Sequence, residues 1–316
     1  MRHTRRIRFV FLVVLTICSA ARGQSQRPFS VPLPDLKRWS EHVVVELDAK
    51  ITGHSHVHAE AKDCKMHLGA MVKGYRGVPD GWVVEPMNLC LESMPEKGIE
   101  NRRDWKSLGD SLTGASVHLA GVVRLWPEHL KANPADISSN PAHATELHPL
   151  TKITRSGGSK LDFSALIYPP GELIGVKPKT AAAMLAVTAV HVTEHDGIVD
   201  IDFESVPFIG NFAQVELLIT ASSITQVEGS YVMAGTASAD DKAPQPVRLV
   251  TVAGSPVNRT MAEIKKNSKR PVKFDALVLF NLNPVALLEA ATTSHGSAVE
   301  VATPIQLIVY GPIDAE

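Results

Sequence analysis

Between residues 37 and 155, short Val-rich runs alternate with Gly/Pro turns, and one charged stretch with helical spacing interrupts them. The runs are RWSEHVVVELDAKITGHSHVHAEA, DCKMHLGAMV, WVVEPMNLC, ASVHLAGVVRLW and ATELHPLTKI, and the helical stretch EKGIENRRDWKSLGD falls between the third and the fourth. Period-two alternation marks strands, and charge at helical spacing marks a surface helix. Five strands with a helix between the third and fourth are the element order of a small Greek-key barrel of the OB type. GYRGVPDG reads as a turn, Gly121 as a bend or bulge within its strand, and Pro149 as a break in the last strand.

The rest of the chain differs. All four tryptophans lie before residue 130 and histidine is concentrated before residue 155, after which Ala, Val, Ile, Leu and Thr dominate. The runs AAAMLAVTAVHVTE, GIVDIDFES, FAQVELLITA, GSYVMAGTA, PVRLVTV, FDALVLFNL and IQLIVYG read as strands. VNRTMAEIKKN and NPVALLEAA read as short helices, with Asn283 as N-cap and Pro284 at the first position. TRSGGSK at 154–160 is a polar, Gly-rich joint. The expected fold is mainly β: an OB-like Greek-key barrel over 37–155, followed over 160–316 by a second β-sandwich or barrel domain with short helices. An extended, Pro-rich lead-in occupies 24–36, and no internal repeat is legible.

The first 23 residues point to export. MRHTRRIR is basic, FVFLVVLTICSA is apolar, and small residues follow near Gly23, the layout of a cleaved signal peptide. The run is short for a membrane span, so a retained anchor is the secondary reading, and the bulky Ile17 argues against a lipid-attachment box at LTIC. Without this segment, which holds five arginines and no acid, 27 basic face 33 acidic residues, a net charge of −6. A chain of that sign has no general attraction for nucleic acid. Only Cys64 and Cys90 then remain, and in an oxidising compartment they read as one disulfide closing a loop of about 27 residues, worth roughly 3 kcal/mol. Two thiols or two metal ligands are the competing readings.

Several enzyme classes lack their motifs. There is no Gly-x-Ser-x-Gly elbow, no phosphate-cradling Gly loop, no His-Glu-x-x-His and no Cys-x-x-Cys. Two constellations could carry chemistry. His54, His56 and His58 alternate along one expected strand and would share a face, which suits zinc or copper; a solvated strand face is the plainer account. His67, Glu85, Glu146 and His148 would come from neighbouring strands of the barrel and could bind a divalent metal or supply a general acid and base; a satisfied polar fold signature is the alternative. HVTEHDGIVDIDFE has alternate acids without the spacing of a calcium loop, and is expected as an edge strand. IKKNSKRPVK reads as a solvated basic loop, with a weak anion-binding patch as the alternative.

DCKMHLGA, WVVEPMNLC, and VHLAGVVRLWPEH followed by ELHPL resemble three stretches of a group of exported bacterial domains, mostly uncharacterised, that carry an OB-like barrel. The likeness covers residues 45–155 and is most specific in ELHPL. There are departures: Lys65 stands where that group has an acid, Glu128 is displaced, and Pro86 follows Glu85 directly. The resemblance implies the barrel fold and export, and no particular activity.

Together these readings predict an exported, periplasmic or secreted, non-enzymatic binding or interaction protein, its partner an unknown ligand or envelope protein, with no cofactor required. The alternative is a metal-dependent, nuclease-like hydrolase that uses a divalent metal such as zinc at His67, Glu85, Glu146 and His148.

Overall fold

A computed structural model describes residues 29–57, 64–90, 93–131, 134–170, 174–186, 190–203 and 210–312. The expected signal peptide lies outside these residues. In chain order the elements are β1 (Phe29–Pro32), α1 (Leu33–Glu41), β2 (Val45–His54), β3 (Leu68–Val72), β4 (Gly81–Val84), α2 (Arg102–Leu112), β5 (Ser116–Leu125), β6 (His143–Arg155) and β7 (Lys160–Asp162). Then follow α3 (Pro178–Leu185), β8 (Val190–His195), β9 (Ile198–Phe203), β10 (Phe212–Ile219), β11 (Thr225–Val227), β12 (Ser230–Ser238) and β13 (Gln245–Thr251). The chain ends with α4 (Pro256–Asn267), β14 (Val272–Leu282), α5 (Pro284–Ser294), β15 (Val299–Glu300) and β16 (Ile305–Pro312). Among the described residues no helix is long and apolar enough to cross a membrane.

Both halves close into five-stranded barrels. In the first, β4, β3, β2, β5 and β6 pair in that order, and β4 closes on β6 in parallel. In the second, β10, β14, β16, β13 and β12 pair in that order and β12 closes on β10, with β13 and β16 parallel. Numbered within each barrel, both follow the circuit 1-2-3-5-4-1, with the third and fifth strands parallel and a helix, α2 or α4, between the third and the fourth. The second domain is therefore a second barrel of the same topology. Side-chain alternation drives closure. Along β2, Val45, Leu47, Ala49 and Ile51 point inward while Glu46, Asp48 and Lys50 point out. The helices start where their caps dictate: Asn101 and Asp104 form a capping box on α2, Ser255 caps α4, and Asn283 caps α5.

The barrels are bolted together through their fourth strands. Arg124 Nε donates to the Phe280 carbonyl at 2.8 Å, Asn281 Nδ2 donates to the Val123 carbonyl at 3.0 Å, and the Leu125 amide donates to Asn281 Oδ1 at 2.7 Å. The contact is reciprocal. Each strand sends a side chain to the carbonyl just before the other's polar residue, and Trp126 packs on Phe280 beside it with centroids 5.8 Å apart. Across each barrel, Arg124 pairs with Glu146 and Asn281 with Gln306, so these positions correspond.

Several expectations need correcting. The lead-in is not extended throughout: β1 pairs with β9 of the second half, and α1 begins at Leu33. TRSGGSK is a hairpin turn that returns β7 onto β6, so the first domain continues past residue 160. The alanine run before residue 186 is the helix α3, because Ala is the strongest helix former and Pro178 opens it. β9 lies between β1 and β8 and is not an edge; Val199, Ile201 and Phe203 are buried. β6 runs on through Pro149 as far as Arg155. Gly121 does mark a bulge: the register shifts on both sides of it, and a Cβ there would lie 2.8 Å from the Pro149 carbonyl oxygen.

Candidate functional site

The fourth and fifth strands of the first barrel carry an unusual load. Arg124, Glu146, His143 and His148 are each at most 1% exposed, and Glu85, just past the end of β4, is 2% exposed. Charges so deep require partners. They have them, in a chain. Lys65 Nζ lies 3.0 Å from Glu85 Oε2, and His67 Nε2 lies 3.3 Å from Glu85 Oε1. His148 Nδ1 sits between the two buried carboxylates, 3.1 Å from Glu85 Oε2 and 3.5 Å from Glu146 Oε2, as ion-pair contacts rather than aligned hydrogen bonds. Arg124 donates to Glu146 Oε2 at 2.7 Å, its other terminal nitrogen lies 3.8 Å from Glu128 Oε2, and its guanidinium stacks over Trp126. His143 lies between two oxygen partners, the Pro141 carbonyl at 2.7 Å from Nδ1 and Glu146 Oε1 at 3.0 Å from Nε2.

All four predicted residues, His67, Glu85, Glu146 and His148, thus meet. Strand pairing explains why. Val84 is aligned with Leu147 in the parallel pair β4–β6, which sets Glu85 opposite His148, and β3 brings the segment before Leu68 alongside. Lys65, Arg124, His143 and Glu128 complete the network and were not predicted as site residues. Arg124 carried a signal, a lone cation in the apolar run GVVRLW. His143 carried none, because residues three apart on a strand face opposite ways.

Burial alone would raise both carboxyls. Against it, Lys65, His148 and His67 hold Glu85 far below the ordinary carboxylate range, although Glu146 pushes it up. Arg124, His143 and His148 likewise hold Glu146 well below. Burial lowers the His129 imidazole. A carboxylate with a depressed folded pKa contributes stability that is present above its unfolded value of about 4.3 and is lost as pH falls through the folded value. Below about pH 4, unfolding free energy should therefore fall by up to about 1.4 kcal/mol per pH unit for each such carboxylate. Glu85→Gln should show a shallower decline than the wild type in urea titrations at pH 3 to 6, and an equally steep one would contradict this assignment.

The other constellation does not assemble as expected. β2 ends at His54, so His56 lies beyond the strand, and His58 lies outside the described residues. His54 packs beneath α2, where Gly109 makes room: a Cβ there would come within 2.6 Å of the ring. His54 Nε2 contacts Asp110 Oδ1 at 2.9 Å and Nδ1 contacts the Ser55 carbonyl at 2.8 Å, leaving neither nitrogen for a metal shared along a strand face. Cys64 and Cys90 form the disulfide, with 5.3 Å between Cα atoms.

The outer wall of the first barrel carries the second candidate site. A groove of about 670 Å³ crosses β3, β2, β5 and β6, lined by Lys50, Lys73, Arg76, Arg155, Asp48 and His118, with Met71 62% exposed beside them. Asp48 hydrogen-bonds His118 Nδ1 at 3.0 Å, and Glu46 lies 3.3 Å from Nε2. Chiefly through the Asp48 bond, these acids make His118 more basic than an ordinary imidazole. No protein-family model matches this chain, and no curated protein matches it closely enough to count as a relative.

Proposed function

We propose that this chain is an exported, non-enzymatic bacterial binding protein, and that the groove on the first barrel receives a short acidic segment of a partner protein. The observation that carries this reading is the charge of the groove: four permanent cations, Lys50, Lys73, Arg76 and Arg155, against the single acid Asp48. The chain around it is acidic once the basic leader is removed, which opposes a long polyanion such as nucleic acid while a short acidic peptide still meets a local positive field. Met71 and Val72 add an apolar floor, and Ser116, Thr154 and Ser156 offer hydroxyls. Export is supported by the leader and by a bridged cysteine pair.

The hydrolase reading draws on the meeting of His67, Glu85, Glu146 and His148. A general base needs an accessible carboxylate, and Glu85 is buried against Lys65, His67 and His148 while Arg124 takes Glu146 Oε2. That arrangement favours a structural role for the cluster.

The test is fluorescence anisotropy with a labelled hexaglutamate peptide at several salt concentrations. Binding should weaken with salt, and the double variant Lys50→Glu/Arg76→Glu should lose at least about tenfold in affinity, about 0.7 kcal/mol for each of two reversed contacts. Equal binding by the double variant, or tighter binding of a single-stranded hexanucleotide than of the peptide, would overturn the reading.

A further inference from the structure

The outer end of the buried network differs from its inner end. At the inner end Lys65 caps Glu85. At the outer end Arg124 occupies Glu146 Oε2, and Glu146 Oε1 faces His143 Nε2 alone at 3.0 Å. His143 is built like a ligand. Its Nδ1 is tied to the Pro141 carbonyl, which fixes the ring and aims Nε2 at the cluster, the outer-shell bond that metal-binding histidines commonly make. His129 stacks on it, ring centroids 5.0 Å apart, from the short turn that follows Trp126. One donor atom from each of His129, His143 and Glu146 lies within 4.8 Å of the other two. Beside them Glu128 Oε2 is buried and, among the described residues, lacks a hydrogen bond; it lies 3.8 Å from both His129 Nε2 and Arg124.

Charge points the same way. Glu85, Glu128 and Glu146 face two permanent cations, Lys65 and Arg124, so one negative charge must be offset within the cluster. A bound cation can supply that offset. With bonds of about 2.0 Å, a tetrahedral ion holds its ligand atoms roughly 3.3 Å apart, close to the His143–Glu146 separation. His129, a third exposed on its turn, has a gap of at most about 1.5 Å to close, and Glu128 on the same turn moves with it.

We propose that His129, His143, Glu146 and Glu128 form a closed site for a zinc-class divalent ion that sits between His143 and Glu146 and ties the turn after β5 to the start of β6. Two imidazoles and two carboxylates suit zinc. Four protein ligands leave no open position, so the ion braces the barrel next to the Trp126–Phe280 junction. The site stands apart from the groove and shares Glu146 with Glu85 and His148, whose donor atoms form a second such group with it.

The test uses the full mature chain, stripped with chelator and titrated with Co²⁺ and then Zn²⁺. The wild type should take up one equivalent of cobalt with the strong visible absorption of tetrahedral coordination, and zinc should displace it. His129→Gln, which alters a partly exposed side chain and leaves the buried network intact, should weaken binding at least about tenfold. His56→Gln and His67→Gln should bind as the wild type does. Zinc should raise the thermal midpoint of the wild type and leave that of His129→Gln unchanged. The proposal is overturned if the wild type fails to bind either ion below about 10 μM, if His129→Gln binds equally well, or if His56→Gln or His67→Gln is the variant that loses the ion.

Discussion

Replacing Arg124 with methionine should cost about 3–5 kcal/mol of unfolding free energy, the range for stranding a buried charge by removing its partner. The guanidinium is fully buried and serves three masters: it neutralises Glu146, approaches Glu128, and bonds the Phe280 carbonyl of the other barrel. Methionine keeps much of the volume and the contact with Trp126, so the loss measures charge and hydrogen bonding more than cavity formation. A second substitution separates the two. In Arg124→Met/Glu146→Gln the stranded carboxylate is gone, and at least about 1 kcal/mol should return relative to the single variant. Urea unfolding of the wild type, Arg124→Met, Glu146→Gln and the double variant closes the cycle. A single-variant loss below about 1 kcal/mol, typical of exposed pairs, would mean that Glu146 is compensated by His143 and His148 alone.

The first barrel was legible because its signals are local: inward Val and Leu at period two, an Asn101–Asp104 box on the one helix, and Gly/Pro turns between strands. The repeat was not. RLWPEHL and NLNPVAL occupy corresponding places at the ends of the two fourth strands, yet they share only Leu125/Leu282, Pro127/Pro284 and Leu130/Leu287. A barrel demands apolar residues facing inward, and many sequences meet that demand, so topology outlasts identity. The alanine run became α3 because an apolar segment without alternation does not tell strand from buried helix, and Ala then tips the choice.

The site was half legible for a related reason. Glu146 and His148 stand two apart on one strand, and that spacing survives folding. Their neighbours depend on pairing register. Arg124 reaches Glu146 because β5 and β6 align them, and Lys65 reaches Glu85 because the segment before β3 runs on beside the one after β4. The second barrel supplies a control. It places Asn281 and Gln306 where the first has Arg124 and Glu146, and Val250 and Ile308 in the register positions of Glu85 and His148. The same circuit closes without the charges, so they are a feature added to one barrel and not a requirement of the fold.

Removing the disulfide should be the other large effect. Cys64 precedes β3 and Cys90 follows β4, and main-chain bonds already extend that pairing past the strand ends: the Met66 amide to the Pro86 carbonyl at 3.3 Å and the Leu89 amide to the Cys64 carbonyl at 3.0 Å. Lys65 and Glu85, the inner end of the charge chain, lie inside this clipped segment. The bridge confines a loop of about 27 residues in the unfolded chain, so Cys64→Ala/Cys90→Ala should lose roughly 3 kcal/mol. Reductant should impose a similar loss on the wild type and none on the double variant. The loss should concentrate locally, with amide exchange of Met66 and Leu89 accelerating before that of β5 or β14, because the latter strands are braced by the barrel junction. Two reactive thiols per denatured, unreduced chain, or reduction without a change in stability, would show that ladder pairing alone holds Lys65 against Glu85. The buried carboxylates would then rest on strand register, with no contribution from the bridge.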